Sequence, residues 1–241
     1  MKEEIIGKVK LNYSWYSGED LYSDGDAVEN RILEIVRNEE GYEFALDEYT
    51  SWPILYHLTR QRENIVLPME IGKTDEVLEV GAGMGAVTGA LARKAKKVDC
   101  IELSRRRSLV NAERHKDLDN IEIFVGNFRD IRISRKYDAV VLIGVLEYAV
   151  YYVGGENPYE TFLRKIAECL KPGGKLMLSD VEFAPLRPMA EKAGFRILFD
   201  EDLSVAWKEY YIEALWRGET CDCELPKGKC GYRLLIAEKE E

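Results

Sequence analysis

The spacing of apolar residues changes abruptly at a cluster of glycines about a third of the way along the chain. Residues 76–80 form a short apolar run that ends at Gly81, whereas the apolar residues after position 86 recur at helical spacing. A second apolar run covers residues 98–103. The pattern predicts a strand, a glycine turn, a helix and a second strand in direct succession.

The rest of the chain continues this alternation of strands and helices. Apolar runs predict further strands at residues 121–127, within the run 137–148, and at 175–179, 195–199 and 231–238. Helical spacing and start signals predict helices at residues 26–37, from residue 51 onward, and at 104–118, 157–170 and 185–193. The first 25 residues combine aromatic side chains with turn-forming residues and are predicted to be a turn-rich segment.

The glycine turn has the chemistry of a nucleotide-binding loop. Gly81, Gly83 and Gly85 can adopt dihedrals that other residues avoid, and they leave space for a ligand beside the N-terminus of the next helix. Glu102 ends the second strand, 21 residues after Gly81. In a βαβ unit this carboxylate lies where it can accept hydrogen bonds from the hydroxyls of a ribose.

Two classes of ligand satisfy this spacing. The pattern Gly81-x-Gly83-x-x-Ala86 also matches a dinucleotide fingerprint, so an NAD-dependent oxidoreductase is one alternative. Glu79 lies two residues before the first glycine and brings a negative charge towards the ligand. That charge opposes a pyrophosphate and attracts a cationic sulfonium that carries an α-amino group, so it favours a positively charged ligand.

Residues 79–85 have the pattern acid-x-Gly-x-Gly-x-Gly, which resembles motif I of the Rossmann-like (class I) S-adenosylmethionine (SAM) methyltransferases. The apolar run 137–148 and the turn 170–174 (Leu-Lys-Pro-Gly-Gly) resemble the fourth strand of this family and the turn before its fifth. The resemblance covers about 70–200 and 231–239. It implies an α/β fold with a seven-stranded, mostly parallel Rossmann-like sheet, whose last strand is antiparallel, and an N-terminal helical cap.

The same resemblance implies a division of the chain and a cofactor. Residues 1–70 are expected to form the aromatic segment and helical cap, and residues 71–241 the SAM-binding domain. SAM is the implied cofactor, with S-adenosyl-L-homocysteine as the product. Asn127 would bind the adenine amino group, next to the backbone N–H of Phe128. The implied cofactor-binding residues are Glu79, Gly81, Ala82, Gly83, Gly85, Glu102, Leu103, Asn127, Phe128 and Gly144.

The candidates for acid–base chemistry are few. Glu147, just after the predicted fourth strand, is the first candidate for a proton acceptor, and a carboxylate that serves only a helix start is the alternative. His57 in the cap is the second candidate, and a packed histidine is its alternative. Tyr148 and Tyr152 are predicted to line the acceptor pocket, unless they only pack. His115, among charged residues, is expected at the surface.

The net charge of the chain limits which kinds of partner it can bind. The chain has 44 acidic and 34 basic residues and a formal charge of −10, which argues against binding to nucleic acid or to an anionic membrane. Residues 105–107 are three consecutive arginines and are expected to form a solvated face. The start is too polar for a signal peptide and no apolar run reaches about 20 residues, so no membrane insertion and a cytoplasmic location are expected.

The cysteines indicate a reducing compartment, because their number, five, is odd. Cys221, Cys223 and Cys230 lie within ten residues and could bind zinc, but their spacing matches no common four-ligand zinc module and a fourth ligand is missing. Free loop cysteines without a metal are therefore the expectation, and a zinc site is the alternative.

The leading functional hypothesis is methyl transfer from SAM to an oxygen or nitrogen atom of a small molecule, sugar or glycan. An NAD-dependent oxidoreductase and a non-catalytic SAM-binding partner protein are the alternatives. Residues 113–120 and 143–148 also resemble methyltransferases that accompany glycosyltransferases in bacterial surface-polysaccharide synthesis. A small-molecule or glycan acceptor is the expected partner, and a homodimer is retained as an option.

Overall fold

A computed structural model of the chain describes residues 2–20, 23–38, 41–42, 51–181, 183–206, 208–209 and 231–240. Within these residues, one sheet contains the strands β1 (Glu3–Ile6), β2 (Val9–Trp15), β3 (Glu76–Val80), β4 (Lys97–Glu102), β5 (Ile121–Gly126), β6 (Tyr137–Ile143), β7 (Leu170–Val181), β8 (Phe195–Asp202) and β9 (Tyr232–Lys239). The helices are α1 (Asp26–Asn38), α2 (Trp52–Leu58), α3 (Thr88–Lys94), α4 (Arg105–Arg114), α5 (Ala149–Tyr152), α6 (Pro158–Cys169) and α7 (Leu186–Lys192). Two 3₁₀ helices cover Arg60–Val66 and Leu146–Tyr148.

The strand order across the sheet is β1-β2-β5-β4-β3-β6-β7-β9-β8. The pairs from β2 through β7 are parallel, while β1 pairs antiparallel with β2, and β9 pairs antiparallel with both β7 and β8. The chain therefore runs from β3 outward through β4 to β5, and then crosses back to β6 on the other side of β3. In an open α/β sheet this reversal places a ligand crevice at the carboxyl ends of these strands.

The predicted α/β fold, the mostly parallel sheet and the antiparallel last strand are confirmed, and this last strand lies between the two that precede it in the chain. The predicted count of seven strands is wrong, since the described residues contribute nine. The two extra strands, β1 and β2, come from the segment expected to be turn-rich. The alternation of Val9 and Leu11, both fully buried, with polar neighbours is a period of two, and Gly7 makes the turn with φ of 58°. The division of the chain at residue 70 stays a prediction.

The central strands are covered on both faces. Leu78 and Val80 of β3 pack in a core cluster that includes residues of α6 and α7, whereas Val77 packs on the opposite face in a cluster that includes residues of α3. This arrangement explains why the central strands have near-continuous apolar sequences.

The predicted helical cap packs above the glycine turn. Ile32 of α1 and Leu55 and Leu58 of α2 share a third buried cluster with Met84 of the turn and Val110 of α4. The cap is therefore held against the ligand end of the sheet by apolar contacts. No helix in the described part of the chain is long and apolar enough to span a bilayer.

Candidate active site

A cavity of about 540 Å³ lies at the carboxyl ends of the parallel strands. One wall comes from the strand ends and the loops that follow them, at Gly81, Glu102, Asn127, Gly144 and Asp180. The cap supplies the opposite wall through Trp52, Tyr56, His57 and Arg62, and β9 adds Tyr232. The crevice predicted from the strand order is thus a cavity closed by the N-terminal part of the chain.

The glycine turn exposes its backbone to this cavity at one position and packs tightly at two others. Gly81, Gly83 and Gly85 have φ of 75°, 53° and 79°. A Cβ on Gly81 would lie 2.2 Å from Val145, and one on Gly85 would lie 2.4 Å from Asn111. A Cβ on Gly83 would meet nothing within 4 Å. Gly81 and Gly85 are therefore required for packing, while Gly83 leaves open space for a ligand.

The carboxylate of Glu102 joins the glycine turn to the start of α4. Its Oε2 accepts a hydrogen bond from Gly83 N at 2.8 Å, and its Oε1 accepts from Ser104 N at 2.9 Å. Burial raises the pKa of this carboxyl, and the positive charge of Arg107 opposes the rise. Each carboxylate oxygen retains a second lone pair, so Glu102 fits the hydroxyls of a ribose at the cavity surface.

Glu79 lies beneath the glycine turn and lines the cavity. Its Oε2 accepts hydrogen bonds from the Thr88 hydroxyl at 2.7 Å and from the Cys100 thiol at 3.5 Å. Burial raises the pKa of Glu79 to about 7. A cation bound nearby would stabilise the ionised form, so this environment fits a positively charged ligand better than a pyrophosphate.

Asn127 follows β5 and connects two loops at the edge of the cavity. Its Oδ1 accepts from Arg129 N at 2.9 Å, and its Nδ2 donates to the Tyr152 carbonyl at 3.3 Å. The next side chain, Phe128, is buried and its ring centroid lies 5.0 Å from that of Phe162. Both residues line the cavity, but the Asn127 amide already has protein partners on each of its polar atoms.

Asp180 at the end of β7 is a cavity residue that the sequence patterns did not single out. Its Oδ2 accepts from the backbone N–H groups of Val145 at 3.0 Å and Leu146 at 2.8 Å. Burial, followed by the charge of Glu147, raises the pKa of Asp180 to about 7. Glu147 is half-buried, and burial raises its pKa as well. The loop after β6 therefore presents Glu147 next to a buried second carboxyl group.

His57 belongs to a buried polar network that links α2 to α4. Its Nε2 lies 2.7 Å from Asp24 Oδ2, and the same oxygen accepts from Arg107 Nη2 at 2.7 Å. Arg107 Nε also donates to Glu29 Oε1 at 3.0 Å. The expectation of a solvated face at residues 105–107 is therefore wrong for Arg107, which is 6% exposed. Burial lowers the pKa of His57, so the ring is biased towards its neutral form.

The expectation that His115 lies at the surface is also wrong. The ring is half-buried beneath the glycine turn, and a Cβ on Gly85 would lie 2.8 Å from it. Burial lowers its pKa to about 3. His115 therefore supports the turn from behind as a neutral side chain.

The family comparison agrees with this geometry. Residues 78–176 match the sequence model of a family described as "Methyltransferase domain". The matched segment runs from β3 into β7 and contains the glycine turn, Glu102 and Glu147. This stretch of the chain, residues 78–176, has the sequence of a methyltransferase domain. The resemblance stated from motif I is thereby confirmed.

Named relatives match parts of the methyltransferase domain. The chain is 40% identical over 79 residues to "Probable ribosomal RNA small subunit methyltransferase A" of Methanosarcina acetivorans, which is 33% of this chain and 29% of that protein. It is 32% identical over 106 residues to "Demethylmenaquinone methyltransferase" of Tropheryma whipplei, which is 44% of this chain and 41% of that protein. The chain thus spans less than half the length of these relatives.

Solved structures share the fold of the methyltransferase domain over most of the chain. The N-methyltransferase NodS from Bradyrhizobium japonicum WM9, in complex with S-adenosyl-L-homocysteine, is similar with a TM-score of 0.55 and 16% identity, covering 90% of this chain and all of that one (100%). The [4+2]-cyclase SpnF is similar with a TM-score of 0.59 and 21% identity, covering 79% and 83%.

The structure brings nearly all of the predicted site residues to one cavity. The predicted residues that line it are Glu79, Gly81, Ala82, Gly83, Glu102, Leu103, Asn127, Phe128, Gly144, Glu147, Tyr148, Tyr152 and His57. Gly85 is the exception, because it faces α4. The described residues contain no group of three or more potential metal ligands, and Cys221, Cys223 and Cys230 lie outside them.

Proposed function

We propose that the protein transfers the methyl group of SAM to an oxygen or nitrogen atom of a small-molecule or glycan acceptor. The observation that carries this proposal is the cavity above the glycine turn, in which the buried Glu102 is held by Gly83 and the lining is rich in carboxylates. Among the described residues these are Asp24, Glu79, Glu102, Glu147 and Asp180, against the guanidinium groups of Arg62 and Arg107.

The strand order supports one orientation of the donor. Glu102 ends β4 and would accept hydrogen bonds from the ribose, and Asn127 and Phe128 follow β5 on the outer side and would enclose the adenine. The methionine half would then extend in the other direction, over β3 and towards β6. Glu79 of β3 lies next to the glycine turn, below the methionine half, and would stabilise the positive charge of the donor.

SAM supplies an activated methyl group, and the protein must orient the acceptor and accept its proton. Glu147 is the first candidate for the proton acceptor, because it lines the cavity and burial raises its pKa above the ordinary value of a glutamate. The methyl carbon gains a bond to the acceptor atom as its bond to sulfur breaks, and the acceptor's proton passes to the carboxylate. The products are the methylated acceptor and neutral S-adenosylhomocysteine.

His57 is the second candidate, with a geometry that favours positioning. Its Nε2 is held by Asp24, so this nitrogen is already engaged within the protein. The aromatic residues Trp52, Tyr56, Tyr148, Tyr152 and Tyr232 line the same part of the cavity and would enclose an acceptor.

Nucleic acid is not proposed as the acceptor, although some relatives are named as ribosomal RNA methyltransferases. The formal charge of −10 and the acidic lining oppose the approach of a phosphate backbone. The glycan option and a cytoplasmic site of action come from the sequence patterns alone and are part of the proposal.

Calorimetric titration with SAM, S-adenosylhomocysteine and NAD tests the donor. Binding of the first two without NAD supports the proposal, whereas binding of NAD alone would favour an oxidoreductase. Transfer of a labelled methyl group to a panel of alcohols, amines and glycans tests the reaction, with Glu147→Gln as the variant expected to lose turnover while it keeps SAM affinity. Donor binding without transfer to any acceptor would favour the non-catalytic alternative.

A further inference from the structure

Arg62 is the cationic residue that the 3₁₀ helix Arg60–Val66 contributes to the cavity. Its guanidinium carbon lies 4.2 Å from the centroid of the Tyr56 ring, which fixes the group against the cap by a cation–π contact. The side chain is partly buried. A planar guanidinium held in this way presents its N–H groups in a defined direction.

The charge of Arg62 has no carboxylate partner in the described part of the chain. The other guanidinium of the cavity, Arg107, lies between Asp24 and Glu29 at 2.7 and 3.0 Å, and His57 is bound to Asp24. Cationic groups in a cleft are normally paired, so an unpaired guanidinium over a cavity is suited to an anionic group of a ligand.

The position of Arg62 relative to the sheet indicates which end of a ligand it meets. Burial raises the pKa of Glu79 to about 7, and the Arg62 guanidinium opposes that rise. The same charge acts on His57 and on Tyr232 of β9. Arg62 therefore lies in the cavity that Glu79, His57 and Tyr232 also line, where its charge acts on these three groups.

In the proposed orientation, a donor whose ribose lies at Glu102 has its amino-acid end over β3, where Glu79 lies. That end carries one ammonium and one carboxylate group. We propose that Arg62 binds the α-carboxylate of SAM, while Glu79 acts on the positive charges of the donor. This inference rests on the proposed function, and it assigns part of the donor site to the cap, outside the residues 78–176 that match the family.

The test compares SAM with decarboxylated SAM, which lacks only the α-carboxylate, on the full chain by calorimetry. Wild-type protein is expected to bind SAM roughly 10- to 100-fold more tightly than decarboxylated SAM, as a charge-assisted hydrogen bond predicts. Arg62→Gln should reduce this ratio to about one by weakening SAM alone, and Arg62→Lys should retain part of it.

Arg93→Gln is the matched control. Arg93 bonds Glu63 of the same 3₁₀ helix but does not line the cavity, so this variant loosens the segment without removing a cavity charge. It should keep the wild-type ratio of the two affinities. A ratio unchanged in Arg62→Gln, or an equal loss for both ligands, would overturn the inference and would assign Arg62 to the acceptor or to packing.

Two further outcomes separate this inference from the proposed function. Equal affinity of wild-type protein for SAM and decarboxylated SAM would overturn the role of Arg62 alone, even if Arg62→Gln did not fold. Failure of wild-type protein to bind either ligand would overturn the proposed function, and the role of Arg62 with it.

Discussion

Replacing Glu102 with glutamine should weaken the binding of S-adenosylhomocysteine with only a modest loss of stability. In the folded protein each oxygen of Glu102 accepts one backbone N–H, from Gly83 at 2.8 Å and from Ser104 at 2.9 Å. Glutamine keeps one acceptor oxygen and turns an NH₂ group towards the other N–H. One charge-assisted hydrogen bond, worth about 1.5–3 kcal/mol, is lost.

The loss of stability is partly offset. Burial raises the pKa of Glu102, which means that the folded state disfavours its charge, and the neutral amide avoids that cost. We therefore expect the free energy of unfolding to fall by about 1 kcal/mol. Donor affinity has no such offset, because a ribose hydroxyl would lose a charged acceptor. The dissociation constant should rise roughly 10- to 100-fold.

Calorimetry with S-adenosylhomocysteine measures the affinity, and urea unfolding of the same samples measures the stability. Glu122→Gln is the matched control, since Glu122 lies on the adjacent strand β5, pairs with Lys97 at 2.8 Å and does not line the cavity. The affinity of Glu122→Gln for S-adenosylhomocysteine should equal that of the wild-type protein. A folded Glu102→Gln variant with wild-type affinity would refute the ribose assignment.

Three further changes test the packing and the charges around the cavity. Gly85→Ala should lower the free energy of unfolding by about 2–4 kcal/mol, because φ is 79° and the new Cβ would lie 2.4 Å from an atom of α4. Gly83→Ala, whose Cβ meets nothing within 4 Å, should lower it by only about 1 kcal/mol. Urea unfolding measures both variants, and equal losses would contradict this account. Since burial raises the pKa of Asp180 from 3.8 to about 7, the folded state retains a proton that the unfolded chain releases, so stability falls between pH 4 and 7. Asp180→Asn should flatten that fall when urea unfolding is measured across this range, and an unchanged slope would exclude the effect. Arg107→Met should lower the free energy of unfolding by about 3–5 kcal/mol, because it leaves Glu29 charged and buried. The control Arg106→Met should lower it by less than about 1 kcal/mol, and thermal unfolding measures both variants.

The features that were predictable from the sequence are those that neighbouring residues determine. The strand before Gly81, the glycines and Glu102 lie within a single βαβ unit, whose geometry follows from a short stretch of chain. The antiparallel insertion of β9 followed from the family resemblance, since a pairing between strands so distant in sequence leaves no local pattern.

The features that were missed depend on contacts between distant segments. Arg107 is buried because Asp24 and Glu29, about 80 residues earlier, supply its partners (separations of 83 and 78). Asp180 enters the cavity because β7 lies beside β6 and its carboxylate reaches the loop after that strand. Hydrophobic periodicity carries no information about either contact. The hairpin at residues 3–15 was missed for a different reason, since its alternating pattern is short and rich in aromatic residues that also suit turns.

The pairing of β2 with β5 has a consequence for any shortened version of the protein. β5 leads directly into Asn127 and Phe128, and its outer edge is hydrogen-bonded to β2 through Trp15 opposite Gly126. A chain that starts near residue 70, just before the family match, would present the N–H and C=O groups of β5 to solvent or to another molecule's edge. We expect such a fragment to self-associate and to lose adenine binding, even though it contains every glycine of the turn.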